Sequence, residues 1–434
     1  MRVTQSTGGA AARNRARRWV ATVAVASLAL AAGACGGDDG SGPAELNWFI
    51  FNEPSGVLPK VADECSKASN GEYTINFEFL PADADSQREQ LVRRLGAEDD
   101  SIDIVGMDVV WTGEFANAGW IEEWTGQDKA AVTDGVFPNV VDTASYEGKL
   151  WTAPIWSNTQ LLWYRKDRIP RPPETWDQMF RIAGDLGKDN LIQVQGDRYE
   201  GLTVWVNSMV ASAGTTIVEP DDPEQVALAE GPTDTALGTM GELANSPYAD
   251  SSLSTSTEDS ARLSFESGNS AFMLNYPFVY PSAKENAPEV FKNLAAARYP
   301  RVVADIPSAP PLGGINLGVS AFSKKQDQAF DAIKCLVQPD NQLEIASAAG
   351  LPPVVESVYR SREIEKVYPG FADLMRESIK AAAPRPVTPA YQDLTLAIQR
   401  VVHPVADIDP DDPGPTTEEL RDKVETALKR EGLL

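Results

Sequence analysis

Residues 45–110 carry the strongest constraint on the fold. An apolar run at 45–52 is followed by helical apolar spacing at Val57, Val61 and Cys65. Ile75, Phe77 and Phe79 then alternate across 73–80, a charged helix at 83–96 turns Leu91 and Leu95 inward, and 102–110 is apolar again. Apolar spacing distinguishes the helices from the alternating or continuous apolar strands. The order strand, helix, strand, helix, strand implies a parallel sheet covered on both faces, with ligands outside the carboxyl ends of its strands.

The rest of the chain extends this α/β reading. Residues 149–165 form one long, mostly extended apolar stretch, too long for an ordinary strand, and are expected to cross between two lobes. Helices are expected at 175–186 with Thr175 as its cap, at 200–213 ended by Gly214, and at 234–244, 258–267 and 326–337. Short strands are expected at 191–194 and 271–274. The Pro- and Gly-rich segment 303–314 breaks the pattern before a strand at 315–322. Residues 404–417 read as an acidic, proline-rich loop before a last helix at 418–430. A length of 434 residues suggests two or three domains.

Charge and residue types narrow the function. The net charge is −25, which repels phosphate backbones and argues against nucleic-acid binding. His403 is the single histidine, so a catalytic triad, a two-histidine zinc site and a Cys–His pair would all depend on it. No catalytic residue, metal or cofactor is expected. Paired carboxylates stay open, because 63 Asp and Glu are too many to exclude them by counting.

The amino terminus reads as an address. Arg2, Arg13, Arg15, Arg17 and Arg18 form a basic region without acidic residues, and an apolar run at 19–32 follows. Ala32-Gly33-Ala34-Cys35 resembles a bacterial lipobox, with Ala32 where the pattern usually has Leu. Residues 1–34 are therefore expected to be a lipoprotein signal peptide, Cys35 the lipid attachment site and 35–44 a flexible tether. The alternative is a plain secretory signal with an incidental cysteine, and Arg17-Arg18 leaves twin-arginine export open. The expected location is the outer face of the cell membrane. Cys65 and Cys335 remain, an even number for an oxidising compartment, with a disulfide expected and two buried thiols as the alternative.

Several motifs carry a resemblance. Tyr164-Arg165-Lys166-Asp167, Pro172-Pro173-Glu174-Thr175-Trp176 and Gly313-Gly314-Ile315-Asn316-Leu317-Gly318-Val319 resemble family 1 extracellular solute-binding proteins, the maltose-binding type of ABC sugar importers. Met107-Asp108-Val109-Val110-Trp111-Thr112, residues 158–165, Glu200-Gly201-Leu202 and Arg385-Pro386-Val387-Thr388-Pro389-Ala390-Tyr391 are similar to actinobacterial trehalose-binding lipoproteins. Cys65 and Cys335 also fall where those proteins carry cysteines.

The resemblance implies a periplasmic-binding-protein-like fold of two α/β lobes, 45–155 with 313–365 and 156–312 with 366–434, joined by hinge strands around a ligand cleft. It implies a monomeric binding protein, not an enzyme, that captures a disaccharide, above all trehalose, and delivers it to permease subunits. A maltose or maltodextrin binder and a secreted carboxylate glycosidase using Asp108 and Glu258 are the alternatives. In the resembling group, positions matching Asp108, Asn158, Glu258, Gly314 and Arg385 face the sugar, and Tyr276 stands where that group has Trp.

These residue types suit a sugar. Hydroxyls call for carboxylates, amides and a guanidinium, and C–H faces call for aromatic rings. Glu53 and Glu200 are further ligand candidates, and Trp205, with Trp111 and Trp156, is a candidate for stacking. Structural alternatives stand beside them: helix capping for Asp108 and Glu258, hinge hydrogen bonds for Asn158, a surface ion pair for Arg385 and a turn for Gly313-Gly314.

Overall fold

The apolar periodicity of residues 44–108 becomes a three-stranded parallel core. In a computed structural model, which describes residues 42–81 and 83–430, its strands are Ala44–Phe51, Tyr73–Leu80 and Ile104–Asp108. Ala44–Phe51 lies between the other two and is parallel to both. The helix Val57–Ala68 buries Val57, Leu58, Val61, Ala62 and Cys65 along one stripe. The helix Ala84–Leu95 buries Leu91 and Leu95, and Asp83 caps it by accepting from the Ser86 amide at 2.9 Å.

Three later segments complete a six-stranded sheet. Pro311–Val319 runs antiparallel to Ile104–Asp108 and to Ala153–Asn158, and Ala383–Pro384 pairs in parallel with its first residues. This strand starts earlier than the sequence suggested, because Gly313 and Gly314 lie inside it and not in a turn. Gly314 has φ of 136°, and a Cβ there would sit 2.3 Å from the Trp156 carbonyl oxygen. Glycine permits that backbone approach, whereas a side chain would collide.

The extended stretch 149–165 divides in two. Ala153–Asn158 stays in the first sheet, the chain changes sheets at Thr159 and Gln160, and Leu161–Arg165 enters a second sheet. There it is flanked by Leu294–Ala297 and Phe272–Asn275, with Ile192–Gln193 at the far edge. Around this sheet lie Trp176–Leu186, capped by Thr175 through the Gln178 amide at 3.1 Å, and the almost wholly buried Glu200–Ser212. The helices Glu230–Asn245, Tyr391–Val402 and Gly414–Leu428 pack on the same side. The result is a two-lobed α/β fold.

Two local differences have simple causes. The last helix begins at Gly414, ahead of residue 418, because Thr417, Leu420, Val424, Ala427 and Leu428 give it a continuous buried face. Val218–Glu219 and Asp222–Val226 form a hairpin that their acidic, proline-containing sequence does not announce.

A disulfide joins Cys65 on Val57–Ala68 to Cys335 on Gln326–Leu336. His403 places Nε2 3.0 Å from the Ser254 carbonyl oxygen. The signal segment, Cys35 and most of the tether lie outside the described residues. Among the described residues, no helix is long and apolar enough to cross a membrane.

Candidate functional site

The carboxyl end of Ile104–Asp108 leads directly into the site. Asp108 Oδ1 accepts from the Val110 amide at 3.2 Å, capping a short 3₁₀ turn, and from Arg385 Nη2 at 3.0 Å. Capping and ion pairing are therefore combined in one oxygen. Asp108 Oδ2 makes no hydrogen bond among the described residues.

Arg385 follows Ala383–Pro384, the two-residue strand that pairs with Pro311 and Leu312. Its Nη1 donates to Glu200 Oε1 at 2.5 Å. The same oxygen accepts from the Tyr391 hydroxyl, and Glu200 Oε2 accepts from Thr395 Oγ1 at 2.7 Å. Tyr391 and Thr395 share a helix face at i and i+4, so one turn of Tyr391–Val402 grips the carboxylate. Burial opposes the Arg385 charge, but Asp108, Tyr391, Glu200 and Tyr276 more than offset it and hold its pKa well above the ordinary value. Arg385 is 5% exposed, and its Nε has no acceptor among the described residues.

The crossing strands close on the same point. Gly313 pairs with Asn158, and Gly314 with Ser157. A Cβ on Gly313 would stand 3.7 Å from both Arg385 Nη2 and Asn158 Cβ. Ser157 Oγ and Thr159 Oγ1, on either side of Asn158, are buried without partners among the described residues. Such groups are rare in folded proteins and mark places where something else supplies the hydrogen bond.

Glu258 brings a third carboxylate. It is not the helix cap: Thr257 is, with Ser260 Oγ accepting from the Thr257 amide at 2.7 Å. The Glu258 side chain instead accepts from the Tyr199 hydroxyl at 2.6 Å. Burial raises its pKa above the usual carboxylate range, and the Tyr199 bond opposes that rise. Asn275 Nδ2 donates to the Glu258 carbonyl at 2.9 Å and leads into Tyr276. Burial raises the pKa of the Tyr276 phenol; Glu258, Asp108 and Glu200 raise it further, and Arg385 opposes them. Four charged groups thus act electrostatically on one partly exposed phenol.

Two candidates make no hydrogen bond to this group among the described residues. Glu53 sits just beyond the first strand, but its carboxylate accepts from the Ser55 amide at 3.0 Å and from the Ser55 hydroxyl. Trp205 is a packing residue: it is 3% exposed, and its ring lies 6.4 Å from that of Trp176. Trp111 and Trp156 are buried likewise, against Phe115 and Phe51. The aromatic surface left at the site is that of Tyr276. Tyr199 and Thr395 escaped the sequence reading, and Tyr391 entered it only as part of a motif. The signals were a hydroxyl-bearing residue beside Glu200 and the i, i+4 pair of hydroxyls on an apolar helix. No group of three or more possible metal ligands occurs among the described residues.

Carboxylates, an amide-bearing residue and a guanidinium thus gather at these strand ends. Residues 60–370 match the family described as bacterial extracellular solute-binding protein. The chain belongs to this family. It is 27% identical over 374 residues to a probable ABC transporter-binding protein of Deinococcus radiodurans, covering 79% of this chain and 85% of that one. It is 24% identical over 349 residues to a putative binding protein of Brucella abortus, covering 78% and 82%. Among solved structures, this solute-binding protein resembles maltose-bound T. maritima MalE3, with a TM-score of 0.74, 23% identity and coverage of 89% and 99%. The sugar-binding protein MalE of Xanthomonas citri gives a TM-score of 0.76 at 19% identity, with coverage of 89% and 98%. These structures share its two-lobed fold.

Proposed function

We propose that this solute-binding protein captures a disaccharide, trehalose, between its lobes and delivers it to the permease of an ABC importer without chemically changing it. One observation carries the reading. Arg385 is buried between Asp108 and Glu200, yet its Nε lacks an acceptor among the described residues, and it stands beside Asn158 and Gly313 where the crossing strands meet. An idle N–H on Arg385 and an idle carboxylate oxygen on its partner Asp108 suit a sugar hydroxyl, which both donates and accepts. In this reading Asp108, Asn158, Glu258, Tyr276, Gly314 and Arg385 bind the sugar, and Glu200 holds Arg385 in place.

The similarity to a probable ABC transporter-binding protein and to a maltose-bound protein supports transport of a sugar. The trehalose assignment rests on the motifs at 107–112, 158–165, 200–202 and 385–391. The maltose-bound T. maritima protein supports a second reading, a maltose or maltodextrin binder. Lipid at Cys35 would keep the body beside the permease. We expect the lobes to divide roughly as 45–155 with 313–365 and 156–312 with 366–434.

Calorimetry and thermal shift with trehalose, maltose, maltotriose, sucrose and glucose test this. Ligand at 100 times its Kd stabilises by about 2.7 kcal/mol. A shift with trehalose and not with maltotriose supports the disaccharide reading. A larger shift with maltotriose replaces it with the maltodextrin one, and glucose released from trehalose would make the protein an enzyme.

A further inference from the structure

Gly201 has no backbone reason to be glycine. It is buried in the first turn of Glu200–Ser212 and does not have a positive φ, so helix propensity alone would favour alanine there. The reason is steric. A Cβ at Gly201 would overlap the hydroxyl oxygen and Cζ of Tyr199, whose ring folds back over it. From that position the Tyr199 hydroxyl donates to Glu258 Oε2 at 2.6 Å. The residue between them, Glu200, is held on both oxygens by Arg385, Tyr391 and Thr395. Behind it the direction of each proton is fixed. Paired with Arg385, the Glu200 carboxylate accepts, so the Thr395 hydroxyl donates to it. Thr203 Oγ1, 2.7 Å from Thr395 Oγ1, must then donate to Thr395, and Gln399 Nε2 donates to the same oxygen at 3.0 Å. The bonding capacity of Thr395 is thereby filled.

We propose that Tyr199-Glu200-Gly201 is the positioning element of the cleft, with Glu200 setting the Arg385 guanidinium, Tyr199 setting the Glu258 carboxylate and Gly201 making room for the second bond. The proposal rests on the disaccharide reading above and deepens it, since these residues act through groups assigned there to the sugar. Arg385 follows Ala383–Pro384 and Glu258 opens Glu258–Glu266, yet one helix start holds both. Long side chains lose rotamer freedom when they bind a ligand, and a bond that fixes the rotamer beforehand removes part of that loss. Asp108 grips Arg385 from the first sheet, so the guanidinium is fixed from two sides. Glu258 also accepts from its own amide, and Tyr199 ties its carboxylate to another helix.

Two positions test this without touching a sugar. Gly201 has no side chain, and Thr395 is 3% exposed beneath Glu200, so an effect on affinity at either must travel through its neighbours. The full-length chain and its variants are titrated calorimetrically with trehalose and with maltose, after melting has shown that each folds. With whichever sugar binds, Gly201→Ala and Thr395→Val should each bind about fivefold more weakly, as one hydrogen bond is lost. Thr395→Ser, which keeps the hydroxyl, should bind within about twofold of the parent. Tyr199→Phe with Gly201→Ala should bind no more weakly than Tyr199→Phe alone. The titratable groups acting on Glu258 are Tyr199, Tyr276, Asp259 and Glu200. Losing the Tyr199 bond disfavours its ionised form, so the acid limb of the binding profile should move to higher pH in Tyr199→Phe. Parent affinity in both Gly201→Ala and Thr395→Val overturns the inference and leaves the disaccharide reading standing. A loss in one alone overturns the claim that one helix start holds both groups. Thr395→Ser as weak as Thr395→Val overturns the Glu200 arm, because packing and not the bond is then at work. Multiplied losses in the double variant, or an unmoved acid limb, overturn the Tyr199 arm. Should Gly201→Ala not fold, the two Thr395 variants decide. A parent chain that binds neither sugar removes the disaccharide reading and this inference together.

Discussion

Asp103 and Asp108 stand at the two ends of one strand and do opposite work. Asp103 has no exposed surface, and all of its bonds lie within the protein. It accepts from the Asn47 amide at 2.8 Å, Ser323 Oγ at 2.5 Å and Lys325 Nζ at 3.1 Å. Asp108 keeps 25% of its side-chain surface and leaves one oxygen idle. The first ties Ile104–Asp108 to the neighbouring strand and to the loop before Gln326–Leu336. The second holds Arg385 and still has bonding capacity to offer. Charge and burial alone do not separate a structural carboxylate from a binding one; what separates them is whether its lone pairs are already used.

Variants can break this contrast. The largest effect is expected away from both aspartates. Cys65→Ser with Cys335→Ser should cost about 4 kcal/mol in urea unfolding, as a very long loop loses its closure, and should leave sugar affinity unchanged. Asp103→Ala should cost about 3 kcal/mol of stability, because it strips Lys325 of a buried partner, again with affinity retained. Asp108→Asn should do the reverse. We expect a loss of about 2 kcal/mol in calorimetric binding, roughly thirtyfold, and little change in unfolding, since Asn still caps Val110. If Asp108→Asn unfolds the protein as Asp103→Ala does, the contrast fails. Tyr199→Phe should weaken binding by about 1 kcal/mol by releasing Glu258 from its fixed rotamer.

The smallest effect is in pH dependence. Burial raises the Glu258 pKa in the folded state, so the folded protein holds this proton more tightly than the unfolded chain does. Its contribution to stability is present below the ordinary carboxylate range and is lost as pH rises through the raised value. Glu258→Gln should therefore be more stable than the parent at pH 7 and show no advantage at pH 4. Thermal melts at both pH values check this.

Local pattern made much of the fold legible. The strands and helices from Ala44 to Asp108 follow from apolar spacing, and Thr175 announced its helix because a cap is a short-range signal. Gly313-Gly314 was ambiguous, since a pair that permits a turn also permits the close backbone contact it makes with Trp156. The site was legible as residue types and not as connections. Asp108 and Arg385 are 277 positions apart, and only the return of the chain through Ala383–Pro384 brings them together. Glu258 read as a helix opener because its partner Tyr199 lies 59 positions away, beyond any local window. Trp205 looked available beside polar neighbours, but nothing in the sequence shows that Trp176 covers it.

The Cys65–Cys335 bond closes a ring of chain across 270 positions, which includes the crossing at Thr159 and Gln160 and the whole second sheet. For a protein exposed to proteases outside the cell, this changes what a cut means. A single cleavage in any loop of the ring opens it without releasing a fragment, and both products remain one covalent particle. Such damage is silent on a non-reducing gel and separates into two bands only once the thiols are freed.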